Sequence, residues 1–212
     1  MHNMEEKTIR EKAREMKLAS PHMAAVPEKT RNAALEAIAD ALMTNKAAIM
    51  EENAKDMKAA EEKGISAPVM KRLRFDDAKL ADVLSGIKSL IGLPDPLNRQ
   101  LLKRELDSDL LLVKESCPIG VIGVIFEARP DAMVQVSTLC VKSGNCVILK
   151  GGSEAKLTNR KLFSVIRDAA VSSGLPASAM MLAETHDDID QLLGCNDSID
   201  LLIPRGSNEF VQ

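Results

Sequence analysis

Three short polar segments follow apolar runs in the second half of the chain, where side chains could bind an anion or a sugar. The apolar runs are VIGVIF, CVILK and IDLLI, and each is long enough for one buried strand. The polar segments contain Glu127, Arg129 and Asp131; Lys150, Gly151, Gly152, Ser153 and Glu154; and Arg205, Gly206 and Ser207.

The segment after CVILK has the composition of a nucleotide-binding turn. Lys150 offers a positive charge to a phosphate or a donor to a ribose hydroxyl. Gly151 and Gly152 allow a ligand to approach the backbone closely. Glu154 begins the next predicted helix, where its carboxylate could accept a hydrogen bond from ribose.

The other two segments are candidate anion sites. Ser207 should cap a helix whose free N–H groups, next to Arg205 and Gly206, suit a pyrophosphate, although Ser207 could serve as a cap alone. Pro130 favours an extended Arg129, and a guanidinium can bind a carboxylate or a phosphate through two bonds. The alternative is that Arg129 pairs locally with Glu127 or Asp131.

The elements around these segments alternate between strand and helix, which predicts an α/β fold with a parallel, Rossmann-like sheet. Strands that are apolar throughout are typical of a sheet covered by helices on both faces. Loops after parallel strands meet at one edge, so the three segments should lie together. The predicted strands are 120–126, 145–149, 179–182 and 198–203, and the helices are 131–142, 154–172 and 187–193.

The first half of the chain differs in character. Residues 1–96 are rich in Ala, Glu, Lys and Met at helical spacing, which predicts a helical layer. Residues 97–117 form two extended runs with a turn between them, which indicates a β-hairpin, either a surface arm or an edge that a second subunit completes. Residues 118–212 are the predicted α/β core.

Composition excludes several functional classes. The net charge of −3 and the absence of Trp and Tyr argue against a nucleic-acid partner. Without a long apolar stretch or an apolar leader, we expect no membrane span and a cytoplasmic location. The four cysteines lack metal-ligand spacing, so we predict no metal site and expect each cysteine to be a small buried side chain. Neither GxGxxG nor GxxxxGK[ST] is present.

The stretches PIGVIGVIFEARPD, VILKGGSEA and LIPRGSNEFV, in this order, resemble the γ-glutamyl phosphate reductases, also called glutamate-5-semialdehyde dehydrogenases. NAALEAIADAL, ENAKDMKAAEEKGI and VMKRL are similar to the amino-terminal helices of that family. The family belongs to the aldehyde dehydrogenase superfamily, whose cofactor domain lacks the usual glycine fingerprint. The resemblance therefore accounts for the missing GxGxxG.

The resemblance implies NADPH-dependent reduction of L-glutamyl 5-phosphate to glutamate 5-semialdehyde and phosphate, in proline biosynthesis. It places Lys150 at the adenosine ribose or its 2′-phosphate, and Gly206 and Ser207 at the pyrophosphate. It places Arg129 near the substrate phosphate or the developing oxyanion. The predicted cofactor-binding residues are Glu127, Lys150, Gly151, Ser153, Glu154, Arg205, Gly206 and Ser207, with NADPH or NADP as cofactor.

The resemblance also implies that a nucleophilic cysteine lies in a second domain, because none of the four cysteines stands at a matching motif. We expect residues 1–212 alone to lack reductase activity. The chain stops one turn into a predicted helix, so we predict a fragment. The expected partners are a second copy through the 97–117 hairpin and glutamate 5-kinase. The alternatives are a non-catalytic nucleotide-binding or assembly module and an aldehyde dehydrogenase with another acyl substrate.

Overall fold

The computed structural model of the chain describes residues 7–206. Five helices form its first part, as the helical spacing predicts. They are α1 (Ile9–Ala24), α2 (Glu28–Thr44), α3 (Lys46–Glu62), α4 (Ala67–Leu73) and α5 (Asp77–Ile91). The stripe of Leu35, Ile38 and Leu42 on α2 is fully buried. Asp76 caps α5, because its carboxylate accepts a hydrogen bond from the Lys79 N–H at 3.1 Å.

The predicted hairpin consists of β1 (Gln100–Asp107) and β2 (Leu110–Glu115), which pair antiparallel with each other and form a sheet of their own. Asp109 lies in the turn with a φ of 63°. Every residue of both strands is exposed. Because several of these side chains are leucines, the hairpin exposes more apolar surface than its charged residues suggest.

The rest of the described chain alternates between strand and helix. Its elements are β3 (Val121–Phe126), α6 (Pro130–Lys142), β4 (Cys146–Lys150), α7 (Lys156–Ser172), β5 (Met180–Ala183), α8 (His186–Leu193) and β6 (Leu201–Arg205). The strands form one parallel sheet in the order β5-β4-β3-β6. The predicted Rossmann-like α/β fold is confirmed.

The strand order fixes where the helices lie. The chain moves in one direction from β3 through β4 to β5, so right-handed crossovers place α6 and α7 on the same face. It then returns to β6, which places α8 on the opposite face. Helix α1 contacts α8 and three of the strands, whereas α2 packs on α6 and α7. The core therefore lies on both faces of the sheet, and β3 and β4 are buried along their whole length.

Strand β6 begins at Leu201, three residues later than the sequence predicts. Residues 195–199 form a turn, in which the N–H groups of Ser198 and Ile199 donate to Cys195 O. Just before the strand, the Asp200 N–H donates to Val121 O at 2.9 Å and the Asp200 carboxylate accepts from Val121 N at 2.8 Å. β6 is an edge strand, and most of it is exposed.

Candidate functional site

The strand order changes direction at β3, with β4 and β5 on one side and β6 on the other, and open parallel sheets bind ligands at such a switch point. Phe126 at the end of β3 pairs with Arg205 at the end of β6, and Ile125 pairs with Lys150 of β4. The three predicted polar segments therefore begin at one edge of the sheet, as expected. Arg205 and Gly206 are exposed there, whereas Ser207 and its predicted cap lie outside the described residues.

Lys150 is the last residue of β4, and only 5% of it is exposed. Its Nζ donates to Gly151 O at 2.9 Å. Burial disfavours the charged ammonium and lowers the pKa of Lys150, although the charges of Glu154 and Asp188 oppose this shift. An ammonium carries three N–H donors, so donors beyond the bond to Gly151 remain for a ligand.

The two glycines after Lys150 form a close-fitting turn. A Cβ atom on Gly151 would overlap the side-chain amide of Asn159 and lie 3.3 Å from the Phe126 ring. A Cβ on Gly152 would overlap the Glu154 carboxylate, which can move more easily. The turn therefore requires glycine most strictly at position 151.

Asn159 carries an unpaired polar atom beside this turn. The residue is 3% exposed, and its Oδ1 has no hydrogen-bond partner among the described residues. A small cavity of about 10 Å³ adjoins it, lined also by Gly151, Gly152 and Ser153. Buried polar atoms without partners are rare and often mark a site that a ligand or a water completes. A cavity of this size has room for about one water or one polar group of a ligand beside Asn159 Oδ1.

The two residues of the EARPD turn that face solvent both have oppositely charged neighbours. Arg129 Nη2 lies 3.1 Å from Asp131 Oδ2, so the local pair named above is present. Arg72 Nη1 lies 3.9 Å from Glu127 Oε2. Pro130 is the first residue of α6, and Arg129 has a φ of −145°, as the sequence predicts.

Asp131 also contacts a residue that the sequence did not single out. Lys79 Nζ on α5 lies 3.4 Å from the same Asp131 Oδ2. Burial acts to raise the pKa of Asp131, but the hydrogen bonds and charges of Arg129 and Lys79 outweigh it and hold that pKa below its usual value. Asp131 therefore remains ionised between two cations.

Helix α3 supports the Lys150 turn from outside the sheet. The Asp56 carboxylate accepts from Leu157 N at 3.2 Å, from Thr158 N at 2.8 Å and from Thr158 Oγ1 at 2.7 Å. Asn53 Nδ2 donates to Leu73 O, and Asn53 Oδ1 accepts from Phe75 N. Because Asp56 already occupies N–H groups in the first turn of α7, that helix start has little capacity for a ligand anion.

A small apolar cluster joins the two loops. Ala128 of the EARPD turn and Ala155 after the Lys150 turn pack with Ala60 and Leu73, and all four are buried. The two turns therefore rest on the same part of α3 and α4. The support comes from the ENAKD stretch of α3, because its Asn53 and Asp56 are both buried.

The cysteines differ from one another. Cys140, Cys146 and Cys195 are buried, as predicted, whereas Cys117 is exposed, so the expectation was wrong there. Cys117 lies between the hairpin and β3, where Pro118 and Ile119 continue as a surface loop. Burial raises the pKa of the Cys140 thiol to about 12 and that of Cys146 to about 12. Neither of these two thiols is a nucleophile near neutral pH.

We expect iodoacetamide at pH 8 to modify Cys117 and to leave Cys140 and Cys146 unmodified, because the thiolate is the reacting form. Peptide mass spectrometry before and after unfolding in urea checks this, and unfolding should expose all sites. Rapid labelling of Cys140 or Cys146 in the folded protein would contradict the buried positions described here.

Across residues 7–206, no group of three or more His, Cys, Asp and Glu side chains could hold a metal ion. No helix in the same part of the chain has the length and apolar character to cross a membrane.

Known proteins resemble this chain over nearly its whole length. A γ-glutamyl phosphate reductase of Ruminiclostridium cellulolyticum is 53% identical over 92% of this chain and 45% of the relative. A γ-glutamyl phosphate reductase structure from Saccharomyces cerevisiae has a TM-score of 0.92 at 36% identity, over 97% of this chain and 52% of that one. A γ-glutamyl phosphate reductase structure from Thermotoga maritima has a TM-score of 0.91 at 29% identity, over 97% of this chain and 50% of that one.

The chain thus spans about half the length of the relatives it matches. The predicted resemblance to γ-glutamyl phosphate reductases is confirmed. A more distant structure, an NAD-dependent benzaldehyde dehydrogenase of Corynebacterium glutamicum, shares the fold with a TM-score of 0.69 at 17% identity, over 95% of this chain and 41% of that one. The aldehyde dehydrogenase family model matches residues 1–212, and the chain belongs to this family.

Proposed function

We propose that this chain provides the cofactor-binding half of a γ-glutamyl phosphate reductase. The reaction is the NADPH-dependent reduction of L-glutamyl 5-phosphate to glutamate 5-semialdehyde and phosphate, in proline biosynthesis in the cytoplasm. The observation that carries the proposal is 53% identity to a protein of that name over 92% of the chain. A cysteine of the other half forms the thioester, since the described chain has no reactive thiol in its site.

Family membership implies a nicotinamide cofactor, which supplies hydride when bound. In the proposal, Lys150 and Glu154 bind the adenosine ribose or its 2′-phosphate, and the backbone at Gly151 and Ser153 lets the ribose approach. Arg205, Gly206 and Ser207 bind the pyrophosphate, and Glu127 lies between the cofactor and the substrate. The close fit at Gly151 and the unpaired Asn159 Oδ1 support this assignment.

Arg129 acts on the substrate in this proposal. Its guanidinium stands at the carboxyl end of β3 and remains 36% exposed while paired with Asp131. From there it can stabilise the acyl phosphate or the developing oxyanion through charge-assisted hydrogen bonds.

Two measurements on the purified 212-residue protein test the proposal. Calorimetric titration should show binding of NADPH that is tighter than that of NADH, because Lys150 favours the 2′-phosphate. The reverse reaction with semialdehyde, phosphate and NADP⁺ should show no turnover in this protein and clear turnover in the complete reductase. Robust turnover by the 212-residue protein, or none by the complete one, would overturn the assignment.

We also propose a homo-oligomer through the hairpin. Leu101, Leu106, Leu110 and Leu111 are at least half exposed there, and a soluble monomer rarely leaves such a patch uncovered. Glutamate 5-kinase is the second proposed partner, because it would supply the unstable acyl phosphate.

A further inference from the structure

The EARPD turn contains an arrangement that local ion pairing does not explain. Arg129 and Lys79 both contact one oxygen of Asp131, at 3.1 and 3.4 Å. Two cations therefore share a single carboxylate, so these three side chains together carry one net positive charge. Because both cationic nitrogens lie against the same oxygen, they cannot be more than 6.5 Å apart.

The exposed fractions of the three side chains show that the positive charge faces solvent. The Asp131 side chain is 5% exposed, whereas those of Lys79 and Arg129 are 37% and 36% exposed. The anion thus lies behind the two cations, and the cations face solvent. An arriving ligand meets the positive groups first, and the buried carboxylate holds their nitrogens in place.

Lys79 carries its positive charge at the N-terminal end of α5, where the helix dipole disfavours a cation. Asp76 is the N-cap of α5, so Lys79 is in the first turn, where the helix dipole favours acidic side chains. In the capping box, Glu or Gln stands three positions after a Ser or Thr cap, whereas Lys79 follows an aspartate cap. Residues that break a local rule are often retained for a functional reason.

Helix α6 begins at Pro130, directly after Arg129, and packs against α5. The positive end of its dipole therefore adds to the charge of the two cations. Lys79 also lines a groove of about 800 Å³ between α3, α4 and α5, whose charged walls are the bases Lys71 and Arg74 and the acids Glu61, Asp76 and Asp82. An anion can thus reach Lys79 from solvent without any opening of the core.

We propose that Lys79 and Arg129 form a two-cation site for the phosphate group of an acyl phosphate, with Asp131 as the positioning residue. A phosphate can contact two cations at this separation at once, through different oxygens. The inference rests on the proposed function for the identity of the ligand. It adds Lys79, which comes from the helical layer, to the substrate site.

The test uses inorganic phosphate as the probe. Its dissociation constant is measured by calorimetry at low ionic strength for the wild-type protein and for Lys79→Met, Lys79→Arg and Lys88→Met. Lys88 is an exposed lysine on the same helix and serves as the matched control. We expect Lys79→Met to weaken binding about tenfold, since a charge-assisted bond is lost. Lys79→Arg should stay within about threefold of the wild type, and Lys88→Met should leave binding unchanged.

Kinetics of the complete reductase in the reverse direction provide the second readout. Lys79→Met should raise the KM for phosphate about tenfold and leave the KM for NADP⁺ and kcat within about threefold. Equal phosphate affinity in Lys79→Met and Lys88→Met, or no phosphate binding by the wild type, overturns the two-cation site. Lys79-dependent phosphate binding without any reductase activity supports the anion site and removes the proposed reaction.

Discussion

Replacing Arg129 with alanine in the complete reductase is expected to lower kcat about 100-fold, the usual loss when one group that stabilises a developing oxyanion is removed. The guanidinium is well placed for this role, because Asp131 and the start of α6 fix it at the end of β3. The measurement is the steady-state rate of the reverse reaction with semialdehyde, phosphate and NADP⁺.

A matched set of variants separates this effect from damage to the fold. Arg129→Lys keeps the charge but loses the planar fork, so its kcat should lie between those of the wild type and Arg129→Ala. Arg14→Ala removes an exposed arginine on α1 and should leave kcat unchanged. Unchanged turnover in Arg129→Ala would exclude any role of Arg129 in the chemical step. A loss confined to the KM for phosphate would assign Arg129 to binding alone.

The sequence predicts those parts of the fold that are determined by residues adjacent to one another in the chain. VIGVIF and CVILK are apolar throughout, and such a run alone predicts a strand. Both strands are buried along their whole length in the structure, as expected when helices cover both faces of a sheet. The same holds for Pro130, which sets the start of α6 by its own geometry. The turn at Gly151 and Gly152 after Lys150 is likewise predicted from residues that are adjacent in the chain.

The contacts that the sequence did not reveal join distant parts of the chain. Lys79 and Asp131 are 52 residues apart, and Asp56 and Thr158 are 102 apart. Each of these residues is an ordinary polar side chain within its own segment. The start of β6 is not predicted from the sequence for the same reason, because the Asp200 carboxylate accepts a hydrogen bond from Val121, which lies 79 residues earlier. Only the tertiary structure makes these partners known.

The tertiary packing makes Asp56 a polar side chain of the helical layer on which stability should depend strongly. It is 6% exposed and accepts hydrogen bonds from two backbone N–H groups and one hydroxyl at the start of α7. In Asp56→Ala these donors lose their acceptor in a site with little access to water. A buried donor without a partner costs about 1–3 kcal/mol, more when the lost partner was charged.

We therefore expect Asp56→Ala to lower the free energy of unfolding by about 3 kcal/mol. This value is below the sum of three separate hydrogen-bond losses, because contributions from neighbouring groups are not additive. Urea denaturation followed by circular dichroism at 222 nm measures it, with the loss of helical signal as the readout. Asp56→Asn keeps one acceptor oxygen, so about half of the loss should remain.

Asp40→Ala is the matched control, because Asp40 is an exposed aspartate within α2 and its removal should change stability by less than about 0.5 kcal/mol. If Asp56→Ala unfolds at the same urea concentration as Asp40→Ala, the Asp56 carboxylate does not hold the start of α7. The Lys150 turn would then owe its position to the apolar cluster of Ala60, Leu73, Ala128 and Ala155, in which Ala155 is the residue just before α7.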